Sequence, residues 1–177
     1  RTFLKKLAKT ATHVLPLIAF SASKGYTMYG MRCGAILCMA KSPEVAREFL
    51  DVMSVESRAS WSNGNRAAMQ VLADILSDED CLAKVKAERE HYLEILRRRG
   101  AAFMEEADKA GLSVCPYDSG FFITIPCENP EAAGQRLQDM DIFVIPMGRG
   151  LRVSVASNTE AECRAMPARI KEAIQNA

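Results

Sequence analysis

No charge of one sign accumulates in this sequence: 23 Lys and Arg stand against 22 Asp and Glu, a formal net charge of +1. That balance gives no electrostatic case for a nucleic-acid or anionic-membrane partner. Long apolar runs are absent as well, and nothing approaches the ~20 residues of a membrane-crossing helix. The longest candidate, "HVLPLIAF", is interrupted by Pro16 and reads as a buried strand. Histidine is scarce, and neither His13 nor His91 has an acid or nucleophile partner at a telling spacing. The six cysteines (Cys33, Cys38, Cys81, Cys115, Cys127 and Cys163) never take the CxxC spacing that zinc sites and thioredoxin-like redox centres use. No metal site is expected. Set among Ala, Leu and Met, the cysteines read as small core hydrophobes of a reducing, cytoplasmic setting. Repeats and low-complexity segments are missing too. No secretory signal opens the chain, and its first residue is Arg rather than Met, as expected of a piece of something longer.

What is present is 177 residues, 49% of them apolar, enough for one good-sized core or two small ones. "TFLKKLAKT" reads as a helix end with Phe3, Leu4 and Leu7 on one face. "VLPLIAFSAS" and "MRCGAILCMA" read as apolar strands of a parallel or mixed sheet covered on both faces. Ser42-Pro43-Glu44 is helix-start chemistry, and that helix runs to about Ser57. A second helix follows "SNGN", with Ala67, Val71, Leu72 and Ile75 spaced to bury one face. Asp78 caps a longer helix that ends at Gly111; its "RRRG" at 97–100 is a solvated helix end. Beyond it, "GLSVCPYDSGFFITIPC" predicts a strand, a turn at Tyr117–Gly120 and another strand. A short helix in "NPEAAGQRLQDM", strands in "IFVIPM" and "LRVSVAS", and a closing helix with Pro167 as a potential kink complete the chain.

The chemistry concentrates in "SASKGYTMYGMRCG", Ser21 to Gly34. A lysine on a loop at the mouth of a strand can be held facing a cleft, where its neutral amine forms a Schiff base with a carbonyl. Hydroxyls beside it and a planar guanidinium suit a phosphate dianion. A carbonyl and a phosphate on one small molecule describe pyridoxal 5′-phosphate. Taken locally, a solvated loop lysine and a surface arginine account for the same residues.

This segment resembles the cofactor-lysine segment of class I/II aminotransferases, the fold-type-I pyridoxal-phosphate enzymes related to aspartate and aromatic aminotransferases. Ser21 lies three residues before Lys24, Arg32 eight after it, and Gly34 two after the arginine, as in that pattern. The resemblance implies that Lys24 carries the cofactor and shuttles the substrate's proton, and that Ser21 and Arg32 hold the phosphate. The resemblance places Ser23 where the family varies and Tyr29 at a position that is often aromatic. "RASWSN" resembles a following segment whose arginine, here Arg58, reaches a substrate's side-chain carboxylate across a dimer interface. Gly64 and Asn65, however, stand where many relatives have paired prolines, and an ion pair at a helix end is the alternative role for Arg58. "DSGFFITI" and "IPMGRGLRVSVAS" resemble strands of the family's small domain, with Arg152 matching the arginine that grips the substrate α-carboxylate. Alternation puts Arg152 on one face with Ser154, opposite Leu151, Val153 and Val155. Arg149 is a nearby competitor, and Phe121 or Phe122 is a candidate pocket wall.

The resemblance implies an α/β fold. Residues 1–90 would be the end of a large cofactor domain with a mixed, mainly parallel sheet. Residues 91–177 would be a smaller α+β domain, joined to the first by the long helix. It implies ping-pong transfer of an amino group from an amino acid to a 2-oxo acid, with aspartate- or aromatic-type substrates, in a cytoplasmic homodimer. Family features that precede the lysine, such as an acidic partner for the pyridine nitrogen, would lie upstream of Arg1, so the isolated chain is expected to be inactive. Two other readings stay open: a lyase or decarboxylase of the same fold, and a non-catalytic interaction domain.

Overall fold

The structure, a computed structural model, describes residues 2–10 and 14–177; His13 lies outside them. It is a mixed α/β fold whose contacts divide into two units, Arg1–Arg89 and Glu90–Ala177.

In the first unit, helix α1 (Thr2–Thr10) precedes strand β1 (Leu17–Ser21), the one-turn helix α2 (Ala22–Gly25), a 3-10 turn (Tyr29–Met31) and strand β2 (Gly34–Cys38). Helices α3 (Pro43–Ser60) and α4 (Arg66–Ser77) follow, and α5 (Glu79–Ala110) begins here and continues into the second unit. The strands β1 and β2 pair antiparallel, from Leu17 opposite Cys38 to Ser21 opposite Gly34. The expected mainly parallel sheet, covered on both faces, is therefore corrected for these strands. Residues 22–33 return the chain directly in a short helix and a turn, whereas a parallel partner needs a full crossover, usually through a long helix. Nor is the hairpin buried: β1 alternates exposed and half-buried residues, and four of the five β2 residues are exposed. The apolar stripe of α4 is also shifted. Ala68 is buried and Leu72 and Ile75 are half-buried, while Ala67 and Val71 face out.

Helix starts follow local chemistry. The Ser42 hydroxyl accepts from the Val45 N–H, with Pro43 in the first turn, and Asp78 accepts from the Cys81 N–H at 2.9 Å. Gly111, at φ +64°, ends α5 in the left-handed conformation that glycine adopts cheaply.

The second unit holds the rest of α5, β3 (Phe122–Pro126), α6 (Pro130–Gln138), β4 (Ile145–Met147), β5 (Gly150–Ser154) and α7 (Glu160–Gln175). Its antiparallel sheet has the order β3-β5-β4. Ile123 and Ile125 of β3, and Leu151 and Val153 of β5, pack with Phe103 of α5 and Ile170 of α7 in one continuous core. The strand expected before Tyr117 does not form. That segment makes a single sheet-like bond, Cys115 N–H to the Thr124 carbonyl at 2.9 Å, and then turns, with the Tyr117 hydroxyl donating to the Gly120 carbonyl. Pro167 sits buried inside α7, which continues through it.

Candidate functional site

Ser21 ends β1 in extended geometry and caps α2, its hydroxyl accepting from the Ser23 N–H at 3.3 Å. The cap starts a single turn whose Ala22 is fully buried, and that anchor fixes Lys24 two residues on. The Lys24 Nζ lies 4.3 Å from the centroid of the Tyr29 ring. The Arg32 guanidinium carbon lies 5.8 Å from the same ring, and its Nη1 donates to the Tyr29 carbonyl at 3.2 Å. Both cations therefore fall within reach of one aromatic ring, that of Tyr29, a residue that is 62% exposed. Arg32 itself is left-handed, φ 52° and ψ 48°, and Thr27 in the same loop also has φ 52°. Such backbone strain in non-glycine residues gathers at functional sites. The loop closes where the Ala22 N–H donates to the Cys33 carbonyl at 3.0 Å. An amine, a guanidinium and a hydroxyl thus share the Ser21–Gly34 end of the hairpin, a donor set that fits a phosphorylated aldehyde.

Two further contacts brace this end. The Arg89 guanidinium donates to the Gly25 carbonyl at 3.4 Å. Asn65 donates its amide N–H to the Met31 carbonyl at 3.0 Å while its Oδ1 caps α4. Reading the sequence for chemistry passed over this second role. The signal was an asparagine directly before a helix, since a capping Asn uses only its oxygen and keeps two amide donors to spare.

Arg58, near the end of α3, is engaged locally: its Nη1 donates to the Ser62 carbonyl at 3.2 Å and to the Ser62 hydroxyl at 3.1 Å. A hydroxyl and a carbonyl take the place of the carboxylate considered for a helix-end pair.

Arg152 belongs to the second unit. It lies on the central strand β5, opposite Thr124 on one side and Ile145 on the other. Leu151 and Val153 point into the core while Arg152 and Ser154 are half-buried on the other face. Its guanidinium carbon sits 4.5 Å from the centroid of the Phe122 ring, and its Nε is buried with no hydrogen-bond partner among the described residues. A buried donor without a partner is costly. Phe121 lies beside Phe122, centroids 6.4 Å apart. Arg149 contributes its carbonyl to the Cys127 N–H at 3.2 Å. The same unit has a groove of about 610 Å³ lined by Phe143, Asn158 and Arg169 among others, but not by Arg152. Among the described residues no group of His, Cys, Asp and Glu is gathered to hold a metal, and no helix is long and apolar enough to cross a membrane.

The family model described as aminotransferase class I and II matches residues 3–170. Among solved structures, an aminotransferase from Anaerococcus prevotii is 28% identical, with a TM-score of 0.83 over 89% of this chain and 39% of its own. A putative aspartate aminotransferase from Leishmania major is 19% identical, with a TM-score of 0.76 over 100% of this chain and 42% of its own. The aspartate aminotransferase of Thermus thermophilus with maleate is 22% identical, with a TM-score of 0.69 over 89% and 41%. The chain thus spans about two fifths of the structures it resembles. No curated protein sequence matches it.

Proposed function

This chain belongs to the class I and II aminotransferases, and on that premise we propose that it supplies the cofactor lysine and the carboxylate-binding arginine of a pyridoxal-phosphate-dependent transaminase. The observation that carries the reading is the convergence of Lys24 and Arg32 on Tyr29 at the hairpin end capped by Ser21. When bound, pyridoxal phosphate supplies a conjugated ring that accepts the electron pair released at the substrate's Cα.

Lys24 would hold the cofactor's aldehyde carbon, and its amine would move the proton at the substrate's Cα. Arg32 and the Ser21 hydroxyl hold the phosphate, the guanidinium by paired donors. Arg152 grips the α-carboxylate and fixes its orientation; its unpartnered Nε supports that role. Arg58 would exchange its Ser62 bonds for a substrate's second carboxylate, giving an aspartate-type preference; the maleate in the Thermus relative is a dicarboxylate of that kind. Aromatic amino acids are the other candidate substrates.

On the same reading, residues 1–90 are the end of the large domain and 91–177 the small domain of a cytoplasmic homodimer. Leu17, Ile36 and Leu37 are each more than half exposed on the hairpin. Apolar strand surface of that kind is normally covered in a working protein, so the chain alone should bind cofactor poorly and turn over little.

The test is borohydride treatment of the full-length protein with pyridoxal phosphate, followed by peptide mapping. Label should fall on Lys24 and vanish in Lys24→Ala; absence of label would favour a non-catalytic interaction domain. Amino acid added without any oxo acid should then convert the cofactor's aldehyde absorbance to that of the amine form. A lyase or decarboxylase would not complete that conversion.

A further inference from the structure

We propose that Asn65 is a positioning residue for the phosphate-binding guanidinium of Arg32, acting through the Met31 carbonyl. The inference rests on the reading of Arg32 given above. Arg32 holds a left-handed backbone, which a long non-glycine residue keeps only where its surroundings fix it. Its φ angle is set by the tilt of the Met31–Arg32 peptide plane, and the oxygen of that plane is the Met31 carbonyl. Asn65 grips this oxygen at 3.0 Å from a helix 34 residues further along the chain. The peptide before this plane is held by the Met31 N–H donating to the Met28 carbonyl at 3.2 Å, and the Cys33–Gly34 peptide, two further on, by the bond from the Ala22 N–H to the Cys33 carbonyl.

Asn65 is itself held firmly enough to transmit position. Its Oδ1 accepts from the Ala68 N–H at 3.2 Å. Ala68 is fully buried in a small cluster with Ala22 and Cys33, against which Met31 and Leu72 also pack. One side chain therefore ties the first turn of α4 to the turn that presents Arg32, and the cluster behind both fixes their spacing. Without the amide donor, the Met31–Arg32 peptide is free to tilt. Arg32 then spends part of its time out of the phosphate-binding geometry, and apparent affinity falls by that fraction.

Asn65→Ser separates the two roles, because serine is an equally good helix cap but has no arm to reach Met31. Affinities of the full-length protein for pyridoxal phosphate and for pyridoxal, which lacks the phosphate, are measured by fluorescence titration alongside thermal melting. We expect Asn65→Ser to weaken pyridoxal phosphate binding by about 5-fold, the range of one lost hydrogen bond, and pyridoxal binding by less than about 2-fold. Asn65→Asp keeps the capping oxygen, lacks the donor, and should shift the phosphate preference at least as far. Arg32→Ala, measured in parallel, should abolish most of that preference. If Asn65→Ser weakens both ligands equally, or changes only the melting temperature, Asn65 is a helix cap and the proposal is overturned. If Arg32→Ala leaves the preference intact, the phosphate role of Arg32 fails first, and the Asn65 proposal falls with it.

Discussion

A Cβ built on Gly34 would lie 2.6 Å from the Phe20 carbonyl oxygen of the facing strand, and backbone cannot swing aside as a long side chain can. Gly34→Ala should therefore destabilise the full-length protein by about 1–3 kcal/mol through overpacking and splay the hairpin end that carries Ser21. Gly30→Ala, with no atom within 4 Å, should stay within about 0.5 kcal/mol; urea midpoints of the two variants decide the matter. The motif marked Gly34 as part of a pattern, but the reason for a glycine there depends on an antiparallel partner that spacing does not reveal. Arg152 was more legible, because alternation with Leu151 and Val153 settles its face, although its unpartnered Nε emerges only in three dimensions. Thiol reactivity follows the same residue-level logic. Cys163 is fully buried, and desolvation pushes its thiol up from the ordinary value, which starves it of reactive thiolate. At pH 8 iodoacetamide should modify the half-buried Cys38, Cys81 and Cys115 well before Cys163, as read by mass spectrometry of the intact fold.

Helix ends were the best-read elements, because a cap is local chemistry: Ser42 and Asp78 bond their helices as the sequence suggests. Sheet pairing was read poorly. β1 and β2 have the composition of a covered parallel sheet, yet the short return through residues 22–33 makes them a hairpin. The stripe of α4 is legible in part: Leu72 and Ile75 turn inward as their spacing predicts, but Val71 faces out, and of two adjacent alanines, between which periodicity gives nothing to choose, it is Ala68 that is buried. At α7 the cap is reciprocal: Thr159 accepts from the Glu162 N–H while the Glu162 carboxylate accepts from the Thr159 N–H. Thr159→Ala should cost about 1 kcal/mol of stability, measured by urea denaturation. Between α5 and α7, Glu105 is pulled down to about 2 by hydrogen bonds from Lys109 and then Arg164, reinforced by their charge. In the unfolded chain this carboxyl takes its proton near the ordinary 4.5, in the folded one near 2. Its contribution is therefore whole above about 4.5 and lost as pH falls toward 2. Glu105→Gln should flatten the fall of stability across that acid window and leave the slope at neutral pH unchanged; the groups are exposed, so the effect should be small and salt-sensitive.

The two units differ in what holds them. Around the strands that carry Arg152, Phe103, Ile123, Leu137, Val153 and Ile170 are fully buried in one cluster. Around Lys24 the fully buried set among the described residues is Ala22 and Ala68, with Cys33 close to it, and α3 buries nothing. At roughly 25 cal/mol per Å² of apolar surface removed from water, three small buried side chains and the half-buried residues packed on them contribute little against the entropy of ordering a hairpin and the helices of that unit. Composition could not show this imbalance, because Leu17, Ile36 and Leu37 are as apolar as any core residue and differ only in having nothing over them. Hydrogen exchange on the 177-residue chain expressed alone tests the consequence. Amides paired between β3 and β5, such as those of Ile123 and Val153, should exchange last, near the global unfolding limit. Those of Phe20 and Ala35, the equivalent bonded pair of the first hairpin, should exchange at least about 100-fold faster, through local opening. Equal protection of the two sheets would show that the Lys24 hairpin is self-supporting. The low activity proposed for the chain alone could then not be ascribed to a loosely held lysine.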